Sequence, residues 1–129
     1  MNDSDPIKGV ATERGRQLNL PYAGALLPQE AYVLMRSGAA LVDVRTQAEL
    51  YWVGRVPGSV CIEWNSYPQG QLNPDFLAQL SEAAGKDVPV MFLCRSGGRS
   101  HHAALLATRA GWRECYNVLE GFEGDRDAR

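Results

Sequence analysis

Paired cysteines are missing from this chain. Its three, Cys61, Cys94 and Cys115, lie far apart and are odd in number. That rules out a fully paired disulfide framework within the chain and suggests reduced thiols in the cytoplasm. A CxxC pair and a Cys/His cluster at ligand spacing are missing too, so no structural metal is expected; His101 and His102, being adjacent, point to different sides of a helix. Neither sign of charge is in large excess: 13 basic against 15 acidic residues leave −2, which gives no reason to propose nucleic acid or an anionic membrane as partner. No apolar run approaches the roughly 20 residues of a spanning helix. The opening "MNDSDPIKGVATERGR" lacks the apolar h-region of a secretory signal. Internal repeats and low-complexity segments are absent as well.

What is present suits one folded domain. At 129 residues the chain can bury a single core without staples, and 45% hydrophobic residues supply it. Residues 1–20 are polar and read as an N-terminal extension with a short helix around 7–18; residues 21–129 form the domain. "LLPQEAYVLMRSG" predicts a helix with Pro28 in its first turn, Gly38 past its end, and Ala31, Leu34 and Met35 on one face. "AALVDV" is apolar almost without alternation, as in a strand buried on both faces. Thr46 and Glu49 make a capping-box pattern opening a short helix to about Trp52. A turn and a short strand at about 59–63 follow, then a loop. Asn73 as cap, Pro74 at the first helical position and Gly85 beyond the end bracket a further helix, with Phe76, Leu77, Leu80 and Ala84 turned inward. "VPVMFL" is a strand whose paired part is confined by Pro89 to about 90–93. Ala103, Leu106, Ala107 and Ala110 mark a helix, and "CYNVL" a last strand. Strands alternating with helices predict an α/β domain: a mainly parallel central sheet of about five strands with helices on both faces. In such sheets ligands bind beyond the C-terminal ends of strands.

Cys94 sits at such an end, in "FLCRSGGRSHHAAL". Gly97 and Gly98 permit positive φ and let backbone N–H groups turn inward. The helix starting near Gly98 to Ser100 adds unpaired donors and about half a positive charge. Arg95 and Arg99 add two cations. Such a cradle favours a thiolate and binds an anionic substrate. The plainer reading, a buried cysteine before an anion-binding turn, does not account for glycines and arginines together.

"CRSGGRS", after a strand and before an alanine-rich helix, resembles the active-site loop of the rhodanese-like sulfurtransferases. "LVDVRTQAEL" followed by "GRVPGSV" resembles the family's D-V-R strand, acidic residue and G-H-I-P-G-A turn, and "YNVLEGF" resembles its last strand. The likeness covers roughly residues 24–124. Arg55 stands where the pattern has histidine, and Val56 where it often has isoleucine. The resemblance implies a three-layer rhodanese-like fold and a nucleophilic Cys94 that takes the sulfane sulfur of thiosulfate or a similar donor as a persulfide. A thiol, cyanide or a sulfur-relay protein would accept it. It also implies substrate binding by Arg95, Ser96, Gly97, Gly98, Arg99 and Ser100, with backbone N–H groups of 95–99 around the persulfide and no metal or organic cofactor.

Other residues read more plainly. Asp43 lies near the end of a neighbouring strand and could line the site; Arg45 is expected to pair with Glu49 as a structural ion pair. Cys61 and Cys115 read as small core residues. Trp64, Tyr67 and Trp112 read as packing aromatics. His101 and His102 read as polar residues of the helix surface, since a depressed thiol needs no base. Two rival functions remain. A cysteine-dependent phosphatase of related fold has one more residue between cysteine and arginine, and here Ser100 occupies the place of that arginine. A non-catalytic interaction module would need no cysteine.

Overall fold

The computed structural model describes residues 4–66, 70–94 and 98–119. Its elements, in chain order, are α1 (Ser4–Gln17), β1 (Gly24–Leu26), α2 (Pro28–Arg36), β2 (Ala40–Asp43), α3 (Gln47–Val53), β3 (Val60–Cys61), α4 (Phe76–Ala83), β4 (Val90–Leu93), α5 (Gly98–Arg109) and β5 (Cys115–Val118). The strands form one sheet in the order β1-β5-β4-β2-β3, and every pairing in it is parallel.

Two apolar layers explain why the central strands read as continuous hydrophobic runs. On one face Leu41, Met91, Leu93, Tyr116 and Val118 meet Ala11 of α1 and Ala31 and Leu34 of α2. On the other, Val42, Val90, Phe92 and Cys115 meet Phe76 and Leu80 of α4 and Ala103, Ala104 and Ala107 of α5. Side chains alternate between faces along a strand, but both faces are covered, so β4 and β5 are buried at every position. The expected α/β domain with helices on both faces is what the chain forms.

Three details differ from expectation. The strand β1, "GAL", was not anticipated. It is held by β5, in the register Gly24↔Tyr116, and by α1, which lies so close that a β-carbon on Gly24 would sit 2.4 Å from the Ala11 carbonyl oxygen. The helix expected around 7–18 runs over Ser4–Gln17, and its Arg14 bonds both the Ala25 carbonyl and Glu30. The α4 helix begins at Phe76 with Asp75 as its N-cap, not with Asn73. Asn73 instead makes a tight local turn, its side-chain oxygen accepting from Asp75 N at 2.9 Å, while its amide donates to the Glu63 carbonyl at 2.8 Å. Asn73 thus ties the helix entry to the segment after β3.

Other expectations hold. Thr46 caps α3, accepting from Glu49 N, and Glu49 reaches back to Thr46 N. Cys115 is a buried core residue as expected, but Cys61, expected in the core too, lies on the edge strand and is only half-buried. Trp112 is buried and Trp64 stacks edge-on against Phe76; Tyr67 lies outside the described residues. Among the described residues no helix is long and apolar enough to cross a membrane.

Candidate active site

The strand β4 delivers Cys94 to the C-terminal edge of the sheet, and α5 begins at Gly98. Cys94 is buried, facing the α5 layer. Its Sγ lies 3.3 Å from the hydroxyl of Ser100, in the first turn of α5. Ser100 is fully buried and donates to Oδ1 of Asn117 on β5. The register Phe92↔Asn117 explains the meeting: Phe92 and Asn117 are level with one another on β4 and β5, on the face that carries α5. A lone polar residue in an apolar strand was the available signal for Asn117, and it was missed.

Arg99 comes from the same turn. Its Nη1 donates to Glu49 Oε1 and its Nη2 to Glu49 Oε2, each at 2.7 Å. This is a bidentate pair, geometrically the strongest kind. The Arg99 hydrogen bonds hold the Glu49 carboxyl down to about 2, against some opposition from burial. Glu49 raises the Arg99 guanidinium above its ordinary value, and the charges of Cys94 and Asp43 add smaller contributions in the same direction.

The expected Arg45–Glu49 pair does not form. Arg45, buried, turns back to Asp43: its Nε donates to Oδ1 at 3.0 Å and its Nη2 to Oδ2 at 2.7 Å, with a further bond to the Gly54 carbonyl at 2.9 Å. A local partner two residues back takes Arg45, which leaves Glu49 for Arg99. Asp43 is spent on this pair, which ties the end of β2 to the end of α3.

Of the residues expected at the site, Cys94, Gly98, Arg99 and Ser100 are brought together, while Arg95, Ser96 and Gly97 lie outside the described residues. Gly98 does not have the positive φ anticipated for it. It is the first residue of α5, and a β-carbon there would meet nothing within 4 Å. Its lack of a side chain leaves space in front of the helix start rather than permitting a special turn. Arg55 donates to the Ser59 carbonyl at 3.4 Å across the turn before β3, a local structural contact.

His101 departs from the surface reading. Its ring is half-buried, and Nδ1 lies 2.7 Å from the hydroxyl of Tyr22. Burial pushes the Tyr22 phenol up, and a hydrogen bond from the Asn117 side chain pulls it partly back. His102 is exposed, its ring edge-on to that of His101.

The chemistry available is that of a thiol fixed in a polar niche. Among the described residues no group of three or more His, Cys, Asp or Glu is placed to hold a metal ion. A cavity of about 270 Å³ lined by Pro28, Ala31, Met35, Leu41, Leu93 and other apolar residues opens on the opposite face of the sheet, away from the sulfur.

Comparison with known proteins points to one family. A crystal structure of Rv0390 from M. tuberculosis is similar over 83% of this chain and 85% of that one, at 44% identity and a TM-score of 0.67. An uncharacterized protein of Rickettsia prowazekii is 38% identical over 97 residues, 72% of this chain and 76% of its own. The thiosulfate sulfurtransferase GlpE of Pseudomonas savastanoi pv. phaseolicola is 33% identical over 96 residues, 74% of this chain and 80% of its own. The rhodanese-like domain model matches residues 27–128, most of the chain, and the protein belongs to that family.

Proposed function

We propose that the protein is a sulfurtransferase that carries a sulfane sulfur on Cys94. The observation that carries this reading is the placement of the Cys94 sulfur at the β4–α5 junction, against the Ser100 hydroxyl, with Arg99 of the same first turn of α5 held by Glu49. The name of the GlpE relatives supports it at the level of the family.

In the first step the Cys94 thiolate attacks the outer sulfur of thiosulfate or a similar donor. A sulfur–sulfur bond forms, the donor's own sulfur–sulfur bond breaks, and sulfite leaves with the electron pair. In the second, an acceptor thiolate or cyanide attacks the outer sulfur of the Cys94 persulfide and releases the Cys94 thiolate. A sulfur-relay protein can fill the acceptor's place. Neither step needs an external oxidant or reductant. Arg99 supplies positive charge for the donor anion, and backbone N–H groups of residues 95–99 receive the persulfide. Arg95, Ser96, Gly97, Gly98 and Ser100 complete the binding loop.

The rival phosphatase reading is weakened by Ser100. It occupies the place of that family's arginine, and it is buried under the sulfur and bonded to Asn117. A guanidinium could not project from there toward a phosphate without displacing this contact.

Mass spectrometry after incubation with thiosulfate tests the proposal. Native protein should gain one sulfur atom on Cys94 and lose it to cyanide. The Cys94→Ser variant should do neither, while Cys61→Ser and Cys115→Ala should retain transfer. Sulfur carried on Cys61 or Cys115, or hydrolysis of an aryl phosphate at a rate comparable to sulfur transfer, would overturn it.

A further inference from the structure

Protein interiors hold few voids larger than a water molecule, yet a cavity of about 270 Å³ lies between α2 and the sheet. Its floor is Leu41, Leu93 and Val118, one each from β2, β4 and β5. Its wall is α2, through Ala31, Tyr32 and Met35. The cause is local. Ala31 and Leu34 are the buried residues of α2, and Ala31 brings only a methyl group to the sheet. On the far side stands Val56, half-buried, in the turn before β3. Leu93 faces this layer and Cys94 the other, so cavity and thiol lie across the sheet from one another.

Lining and size limit what can enter. The floor offers only aliphatic side chains, and a charged group placed there would lose its water without replacement. A cavity of about 150 Å³ accommodates benzene, so this one takes an apolar body of about ten carbon atoms. Met35, unbranched, can adapt its shape to such a body. The rim differs from the floor. Tyr32 is exposed, and Arg36, one turn later, holds its guanidinium 5.7 Å from the Tyr32 ring centroid. Among the described residues Arg36 makes no ion pair, and Glu30, the one acid of α2, is taken by Arg14. Arg55, just before Val56, is a second exposed cation, in contact with the Ser59 carbonyl.

An apolar chamber with a cationic rim is complementary to an amphipathic anion. We propose that the α2 face of the sheet binds a free monocarboxylate with an apolar tail of about ten carbons, the tail over Leu41, Leu93 and Val118 and the carboxylate at Arg36. The tail gains by leaving water, while the carboxylate stays at the exposed edge and keeps most of its hydration. Such a site stands apart from sulfur transfer, and its test uses neither sulfur donor nor acceptor.

Titration calorimetry with decanoate, kept below the concentration at which it forms micelles, should show one site per chain of native protein. Octanoate should bind about tenfold more weakly, because two fewer methylenes are buried. Ala31→Leu keeps a good helix former, fills the cavity and should abolish binding while the protein stays folded. Arg36→Gln should weaken decanoate about threefold, the scale of an exposed ion pair, and leave decanol, with the same chain and no charge, unchanged. No binding by native protein would overturn the proposal, whether the cavity then stays empty or sedimentation shows a second copy of the chain covering it. Equal affinity for octanoate and decanoate would place the ligand outside the cavity and overturn it too. So would native affinity in a folded Ala31→Leu variant. Should that variant fail to fold, the chain-length series and the exposed Arg36→Gln substitution decide by themselves: equal losses for decanoate and decanol would overturn the assignment of the carboxylate to Arg36.

Discussion

Glu49 grips Arg99 with both oxygens, joining the first turn of α3 to the first turn of α5 across 50 positions of sequence. The carboxylate is itself fixed by the backbone N–H and hydroxyl of Thr46. The helix that carries the cation is therefore indexed to the helix that follows β2. The pair thus fixes where the Arg99 guanidinium stands as well as balancing its charge.

Replacing the fork while keeping the charge isolates that point. Arg99→Lys retains a cation but offers one point of attachment where the guanidinium offers two. The kcat/KM for thiosulfate should fall roughly tenfold or more, as expected when a substrate-binding group is mispositioned. Glu49→Gln should lower it too, because Arg99 then loses its anchor. Native kinetics in both variants would show that the pair serves the fold alone.

The same pair gives stability a defined pH dependence. Arg99 lowers the Glu49 carboxyl from 4.5 to about 2, so the unfolded chain takes up a proton in a range where the folded one does not. The contribution is complete above about pH 4.5 and is lost as pH falls toward about 2. Urea unfolding of native protein and Glu49→Gln should differ most near about pH 6 and converge only toward about pH 2. A gap independent of pH would contradict the assignment.

Two glycines should respond oppositely to alanine. A β-carbon on Gly24 would collide with the Ala11 carbonyl oxygen at 2.4 Å, and neither backbone can yield cheaply. Gly24→Ala should cost at least about 2 kcal/mol in unfolding free energy. Gly98 has open space and an ordinary φ, so Gly98→Ala should change stability by less than about 1 kcal/mol. Its methyl group would nonetheless stand in front of the helix start, and thiosulfate turnover should fall. Chemical unfolding paired with steady-state rates checks both, and a stability loss at Gly98 exceeding that at Gly24 would refute the contrast.

Much of the fold was legible because burial on both faces writes itself into the sequence. "ALVD", "VMFL" and "CYNV" are strands with scarcely any alternation, and the position of Cys94 at a strand end followed directly. The strand "GAL" was not legible: three residues carry no usable period, and their extended state comes from β5 and from the close approach of α1. Ion-pair choice was equally hidden. Arg45 and Glu49 lie four apart and invite a local pair, but Arg45 turns back into the buried Asp43 carboxylate and Glu49 finds a partner on another helix. His101 looked like surface because helix periodicity cannot show that Tyr22, 79 positions earlier, arrives beneath it.

The strand order also has a consequence for the order of assembly. Of the described strands, the first to be synthesised, β1, pairs with the last, β5, and β4 takes its second neighbour from β5 as well. Until residues 115–118 emerge, half of the sheet has open edges, and closing them requires the longest loop in the topology. Asn117 is one of those late residues, so the Ser100 hydroxyl has no acceptor on β5 while the chain is incomplete. A nascent protein therefore carries Cys94 before the Ser100–Asn117 contact beside it can form.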